Sequence, residues 1–168
     1  MTETLSPALP QEVDDAARKV LQTACDRHLS LATAESCTGG LLASILTDVE
    51  GVSACFERGF VVYSEDAKCE LLGIARELVD RCGAVSREVA VAMAEGALAA
   101  SRADIALSVT GFAGPAGPDD EPGLVHFACA RKGRPVRHRE EHFGDIGRGP
   151  TRIECLRTGL HMLAEAME

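Results

Sequence analysis

The stretch Ala34-Glu35-Ser36-Cys37-Thr38-Gly39-Gly40 decides how the rest of this chain is read. A short apolar run beginning at Leu29 leads into it, and a helix-like run, Leu41 to Leu46, leads out. The order is a strand, a tight polar turn holding a serine and two glycines, and a helix start. Such a turn exposes a hydroxyl at a strand end and aims free backbone N–H groups at whatever sits beside it. Attack on a carbonyl, and stabilisation of the oxyanion that follows, require both features. The plain alternative for Ser36 is a helix N-cap, and position alone leaves both readings open. Gly39 and Gly40 favour a site, because glycine lets a ligand approach the backbone closely. Cys37 is the rival nucleophile, but its side chain should point elsewhere, and it reads as a buried, inert thiol.

Outward from this turn, strands alternate with helices. Gln11 to Arg27 has helical apolar spacing, and Leu29 to Thr33 reads as the first strand. A helix follows from about Gly39 to Thr47, and Arg58 to Tyr63 gives a second strand. Ser64 reads as the N-cap of a helix through Leu72, with Glu65 and Asp66 suiting its dipole and Gly73 ending it. Short and long helices follow over Ala75 to Cys82 and from Ser86 to about Ser101. Ile105 to Val109 is a buried strand that ends in Thr110-Gly111. Beyond a Gly/Pro-rich loop, Gly114 to Gly123, the strands Leu124 to Ala130 and Val136 to Phe143 form a hairpin around Lys132-Gly133. A loop from Gly144 to Pro150 precedes a last helix, Thr151 to Met167. The expectation is a single α/β domain, three layers (α/β/α) around a mixed β-sheet, over residues 11–168, with a flexible N-terminus over residues 1–10. Ligands in such folds gather at strand C-terminal ends. The loops Ser36 to Gly40, Tyr63 to Lys68 and Thr110 to Gly117 are therefore expected to converge on one site.

Composition narrows the function. At 168 residues, 46% apolar and 26% charged, the chain can bury a core without disulfide or metal staples. A net charge of −9, one tyrosine and no tryptophan argue against nucleic acid as a partner. The basic segment Arg131 to Arg139 has mixed signs and reads as a solvated hairpin. No apolar run approaches the ~20 residues of a membrane span. Met1 to Pro10 lacks the basic and apolar regions of a secretory signal, so a cytoplasmic location is expected. The seven cysteines are scattered with no CxxC pair, and read as small core residues in a reducing compartment. That spacing also gives no metal site, since zinc ligands usually come in close pairs. Asp119, Asp120 and Glu121 lack the alternating ligand spacing of a calcium loop.

A nucleophilic serine needs a base. None of the histidines (His28, His126, His138, His142 and His161) follows an early strand, and the turn is not a Gly-x-Ser-x-Gly elbow. Among the lysines, Lys19, Lys68 and Lys132, only Lys68 sits at a second strand-to-helix junction. Burial would lower its pKa and make it a base; a solvated surface lysine is the alternative. Tyr63 either orients a proton path or caps a strand. Arg148 and Arg152 flank the start of the last helix, where the dipole disfavours cations. Holding an anionic ligand and pairing with Asp145 are both open to them.

Four segments then carry a family resemblance. They are Ala34 to Gly40; Phe56-Glu57-Arg58-Gly59-Phe60-Val61-Val62-Tyr63-Ser64 with Ala67-Lys68; Gly83-Ala84-Val85-Ser86; and Thr110-Gly111-Phe112-Ala113-Gly114-Pro115. In family order and spacing, from about Gln11 to Leu163, they resemble the CinA C-terminal domain family. The resemblance implies a stand-alone amidase that hydrolyses the carboxamide of nicotinamide mononucleotide to nicotinate mononucleotide and ammonia, in pyridine-nucleotide salvage. It implies a serine enzyme without metal or other cofactor: Ser36 as nucleophile, Lys68 as general base and Tyr63 as assisting hydroxyl. Thr38, Gly39 and Gly40 would form the oxyanion hole, Thr110 and Gly111 would line the pocket, and Arg152 would meet the substrate's anion. A dimer or other homo-oligomer is implied too. Two positions depart from the family pattern: Gly123-Leu124-Val125 lacks a threonine, and Gly144-Asp145-Ile146 lacks an arginine, with Arg148 two residues later. The alternatives are a non-catalytic protein-binding module linked to competence or DNA damage, and an amidase for another small carboxamide.

Overall fold

The structure is a computed structural model, and it describes residues 9–168. The expected flexible start therefore lies almost wholly outside the described residues. The elements in chain order are α1 (Gln11–Asp26), β1 (Leu31–Glu35), α2 (Leu41–Thr47), a 3-10 turn (Ser53–Cys55), β2 (Phe56–Val61), α3 (Glu65–Leu72), α4 (Arg76–Cys82), α5 (Arg87–Ala99), β3 (Ile105–Gly111), β4 (Leu124–Arg131), β5 (Arg137–His142) and α6 (Arg148–Ala166).

The five strands form one sheet in the order β2-β1-β3-β4-β5. β1 pairs in parallel with β2 and β3, and β4 and β5 continue the sheet antiparallel from β3. The three-layer α/β expectation with a mixed sheet is met. Leu31, Leu107, Val109 and Phe127 pack on one face with α1, α2 and α6. Ala32, Ala34 and Ala106 pack on the other with α3, α4 and α5. Small residues on that second face let the alanine-rich α5 lie close to β3 and β4.

Local chemistry explains most boundaries. Ser64 accepts a hydrogen bond from the Ala67 N–H at 3.0 Å, and Ser86 one from the Val89 N–H at 3.2 Å, each capping its helix as expected. Three elements differ in their bounds in ways that bear on the site. β1 runs over Leu31–Glu35 rather than starting at Leu29, so Glu35 ends a wholly buried strand instead of opening the turn. β2 starts at Phe56 and stops before Tyr63. α6 starts at Arg148 rather than Thr151, because Pro150 falls in the first turn, where a missing N–H costs no helix bond.

The cysteine reading needs correction. Cys25, at the end of α1, and Cys55, in the 3-10 turn, form a disulfide with a Cα–Cα distance of 5.6 Å. Their sequence separation of 30 hides a proximity that arises only once β1 and β2 pair. The other five are free thiols: Cys37, Cys129 and Cys155 buried, Cys69 and Cys82 partly so. No described helix is long and apolar enough to cross a membrane.

Candidate active site

β1 lies between β2 and β3, and the chain leaves the C-terminal ends of these parallel strands in opposite directions. That is where an open α/β sheet offers a crevice. The three expected loops do converge there, on a cavity of about 260 Å³. Its lining includes Ser36, Cys37, Tyr63, Lys68, the segment Thr110 to Pro115, and Arg148. Cavities of about 490 Å³ and 500 Å³ lie between α1 and α6 and beside Asp119–Glu121, but neither holds a paired nucleophile and base.

Ser36 and Lys68 meet. Lys68 Nζ stands 3.0 Å from Ser36 Oγ, 2.8 Å from the Val62 carbonyl oxygen and 3.4 Å from that of Tyr63. The lysine is only 1% exposed. It therefore belongs to the buried alternative, not the solvated one. Desolvation pushes its pKa below the ordinary lysine value, against weaker opposition from Cys37, Glu65 and Cys69. A neutral amine here keeps two N–H bonds for the two carbonyls and turns its lone pair toward the serine hydroxyl.

Tyr63 reaches Lys68 through its backbone carbonyl, while its side chain lies at the rim and is 65% exposed. Thr110 is buried and donates its hydroxyl to the Ala84 carbonyl at 2.8 Å; with Gly111 it forms part of the wall. No histidine lines the cavity. His126 and His138 face each other at 3.0 Å on the β4–β5 hairpin, His142 contacts Glu121 and Glu140, and His161 contacts Glu165.

The turn itself is held from several sides. The Ser36 N–H donates to Val109 and the Gly39 N–H to the Ser36 carbonyl, both at 3.0 Å. The N–H groups of Cys37, Thr38 and Gly40 meet no acceptor among the described residues. Of these three residues, only Cys37 lines the cavity. The Cys37 thiol is buried beside that of Cys155, which their hydrogen bond and burial push well above the ordinary thiol range.

Sequence reasoning missed Glu35. Its carboxylate is 0% exposed and accepts from Thr38 Oγ1 at 2.6 Å, Ala43 N at 2.7 Å, Leu42 N at 3.0 Å and Thr33 Oγ1 at 3.3 Å. The available signal was a carboxylate closing an otherwise small and apolar strand.

The two arginines divide. Arg152 sits behind the turn, its Nε donating to the Cys37 carbonyl at 2.8 Å, and does not line the cavity. Arg148 does, and its side chain makes no hydrogen bond or ion pair with the described residues, Asp145 included. Its guanidinium lies so close over Gly114 that a Cβ there would collide with Arg148 Nη2.

Residues 13–167 match the sequence profile of the CinA C-terminal domain. The chain is 46% identical over 137 residues to nicotinamide-nucleotide amidohydrolase PncC of Escherichia coli strain K12, covering 80% of this chain and 83% of that protein. It is 41% identical to a CinA-like protein of Leptospira borgpetersenii, over 85% of this chain but 34% of that longer one. The crystal structure of competence/damage inducible protein CihA from Agrobacterium tumefaciens superposes with a TM-score of 0.91 at 43% identity, covering 99% of both chains. A competence damage-inducible protein A from Klebsiella pneumoniae gives 0.86 at 32% identity, covering 91% of this chain and 95% of that one.

Proposed function

The chain belongs to the CinA C-terminal domain family, and from that premise and the geometry of its site we propose that it is an amidase deamidating nicotinamide mononucleotide by a serine–lysine mechanism. The observation that carries this reading is the 3.0 Å contact between Ser36 Oγ and a Lys68 amine buried in the wall of the same cavity. PncC of E. coli, similar over most of both chains, bears the name of that activity.

Lys68 takes the Ser36 proton as Oγ attacks the carboxamide carbon. The tetrahedral oxyanion is met by the N–H of Cys37, a residue of the cavity wall whose N–H has no acceptor among the described residues. Thr38, Gly39 and Gly40 shape that turn rather than face the substrate. Lys68 then returns the proton to the departing nitrogen, and ammonia leaves an acyl-Ser36. Water, deprotonated by the same amine, attacks the acyl carbon and releases the carboxylate, restoring Ser36. The Val62 and Tyr63 carbonyls orient the amine throughout, and the exposed Tyr63 phenol lies at the mouth as the assisting hydroxyl. Thr110 and Gly111 flank the ring.

In this reading Arg148, free and facing the cavity, holds the phosphate, while Arg152 braces the turn. The cavity lies just below the ~300–1,000 Å³ typical of drug-sized ligand pockets, which suits a mononucleotide better than a dinucleotide. The acidic chain works on a small molecule, as a homo-oligomer and without nucleic acid or membrane.

One assay tests the proposal: incubate the purified protein with nicotinamide, its mononucleotide and its dinucleotide, and measure ammonia. Release from the mononucleotide that disappears in Ser36→Ala supports it. Release from another amide alone would reassign the substrate, and no release from any would favour a binding module.

A further inference from the structure

We infer that Glu35 is a positioning residue for the nucleophile turn, acting as a remote helix cap that holds the turn so that Ser36 and the Cys37 N–H face the substrate. The inference rests on the amidase reading of the site. It starts from a conflict in the local chemistry. α2 begins immediately after Gly40, and its second and third N–H groups, those of Leu42 and Ala43, need acceptors. A serine or aspartate at the N-cap would normally supply them, from an extended backbone conformation. The N-cap here is Gly40 at φ 94°, a left-handed conformation with no side chain, because the chain must reverse sharply after Ser36. The cap therefore has to come from elsewhere.

Glu35 supplies it from the strand. Its two oxygens take the Leu42 and Ala43 N–H groups and, through the Thr38 hydroxyl, the middle of the turn as well. The base of the loop is thus closed by one carboxylate directly preceding the nucleophile in sequence. Arg152 grips the opposite side at the Cys37 carbonyl. With both clamps in place, the Cys37, Thr38 and Gly40 N–H groups are left without acceptors among the described residues. A carboxylate is the suitable group, since all four partners are donors and it accepts without donating. Its oxygens are spent on donors inside the core, and the residue does not line the cavity that receives the oxyanion.

Glu35→Gln keeps the shape but turns an NH₂ group toward N–H and O–H donors. The test compares it with wild type and with Glu35→Ala on nicotinamide mononucleotide, well below each protein's melting temperature. Expected for Glu35→Gln is a fall in kcat on the order of 10–100-fold, the scale of a small misplacement of reacting groups, with KM nearly unchanged. The rising limb of its pH–rate profile should keep its midpoint, because Lys68 is tuned by its own burial. Leu42 and Ala43 amides should exchange faster with solvent in Glu35→Ala. If folded Glu35→Gln retains wild-type kcat, or if its loss is matched only by a loss of folded protein, the inference is wrong. If wild type itself releases no ammonia from any nicotinamide compound, the amidase reading fails instead. The exchange measurement on Leu42 and Ala43 would then still decide whether Glu35 caps the turn.

Discussion

The two strand-to-helix junctions that build the site solve one problem in opposite ways. At the β2–α3 junction, Ser64 is extended at φ −84° and ψ 162°, and its own side chain caps the helix that carries Lys68. At the β1–α2 junction the N-cap is a left-handed glycine, and a buried carboxylate upstream does the capping. The first junction needs only a helix with a lysine one turn in. The second must fold back tightly, present a hydroxyl and leave N–H groups unspent. Where nothing but structure is required, the cap is local; where backbone donors are needed for chemistry, capping is delegated.

Removing the reactive group of each junction is the severest test of that contrast. Ser36→Ala should lower kcat on the order of 10⁶-fold, as for other serine hydrolases, with a melting curve close to wild type. Measurable turnover close to wild type would break the assignment of the β1–α2 turn as the nucleophile. Lys68→Ala should cost about 10²–10⁴-fold, the usual worth of a general base. A loss of activity explained by unfolding in calorimetry would make the lysine structural and the two junctions independent.

Next in size is the substrate contact. Arg148→Ala should raise KM about 10–100-fold for a phosphate-bearing substrate, the worth of a hydrogen bond to a charged group, and leave nicotinamide riboside unaffected. Arg152→Ala, by contrast, should act on kcat through the turn. A KM effect at Arg152 and none at Arg148 would exchange their roles.

The pH profile sharpens the comparison further. The folded pKa of Lys68 lies below its ordinary value of 10.5, chiefly through burial. kcat/KM should therefore rise with pH to a plateau, with its midpoint below 10.5. Between the two pKa values the unfolded chain holds a proton that the folded chain has released. Stability from this group therefore rises with pH across that window and is lowest below it. The smallest expected effect is that of Ser64→Ala, about 1 kcal/mol of stability with kcat nearly intact, measured by denaturant melting.

The legibility of the sequence follows the same division. Ser64, Ser86 and Gly73 mark helix ends by local rules, so α3, α4 and α5 emerge nearly in place from sequence. The hairpin around Lys132-Gly133 is equally local. The convergence of three loops follows from parallel-sheet topology, and Lys68 stands out once the histidines are placed elsewhere. Glu35 is read as turn because a carboxylate seldom ends a strand buried on both faces, and only the donors of α2, seven and eight residues on, make it tolerable there. Arg148 is read as loop because Gly149 and Pro150 mask a helix start. The Cys25–Cys55 link depends on the β1–β2 pairing and leaves no local trace.

α6 gives the site a further property. Arg27, Arg131 and Arg137 donate to the carbonyls of Met167, Ala166 and Glu165 around its C-terminal end, where cations relieve the helix dipole. Its opposite end has no acidic residue in the first turn and carries Arg148 and Arg152 instead. The helix is electrically satisfied at one end and in surplus at the other. A bound phosphate would complete it, so ligand affinity and thermal stability become two readings of a single free energy, and the melting temperature should climb with the concentration of an anionic substrate analogue.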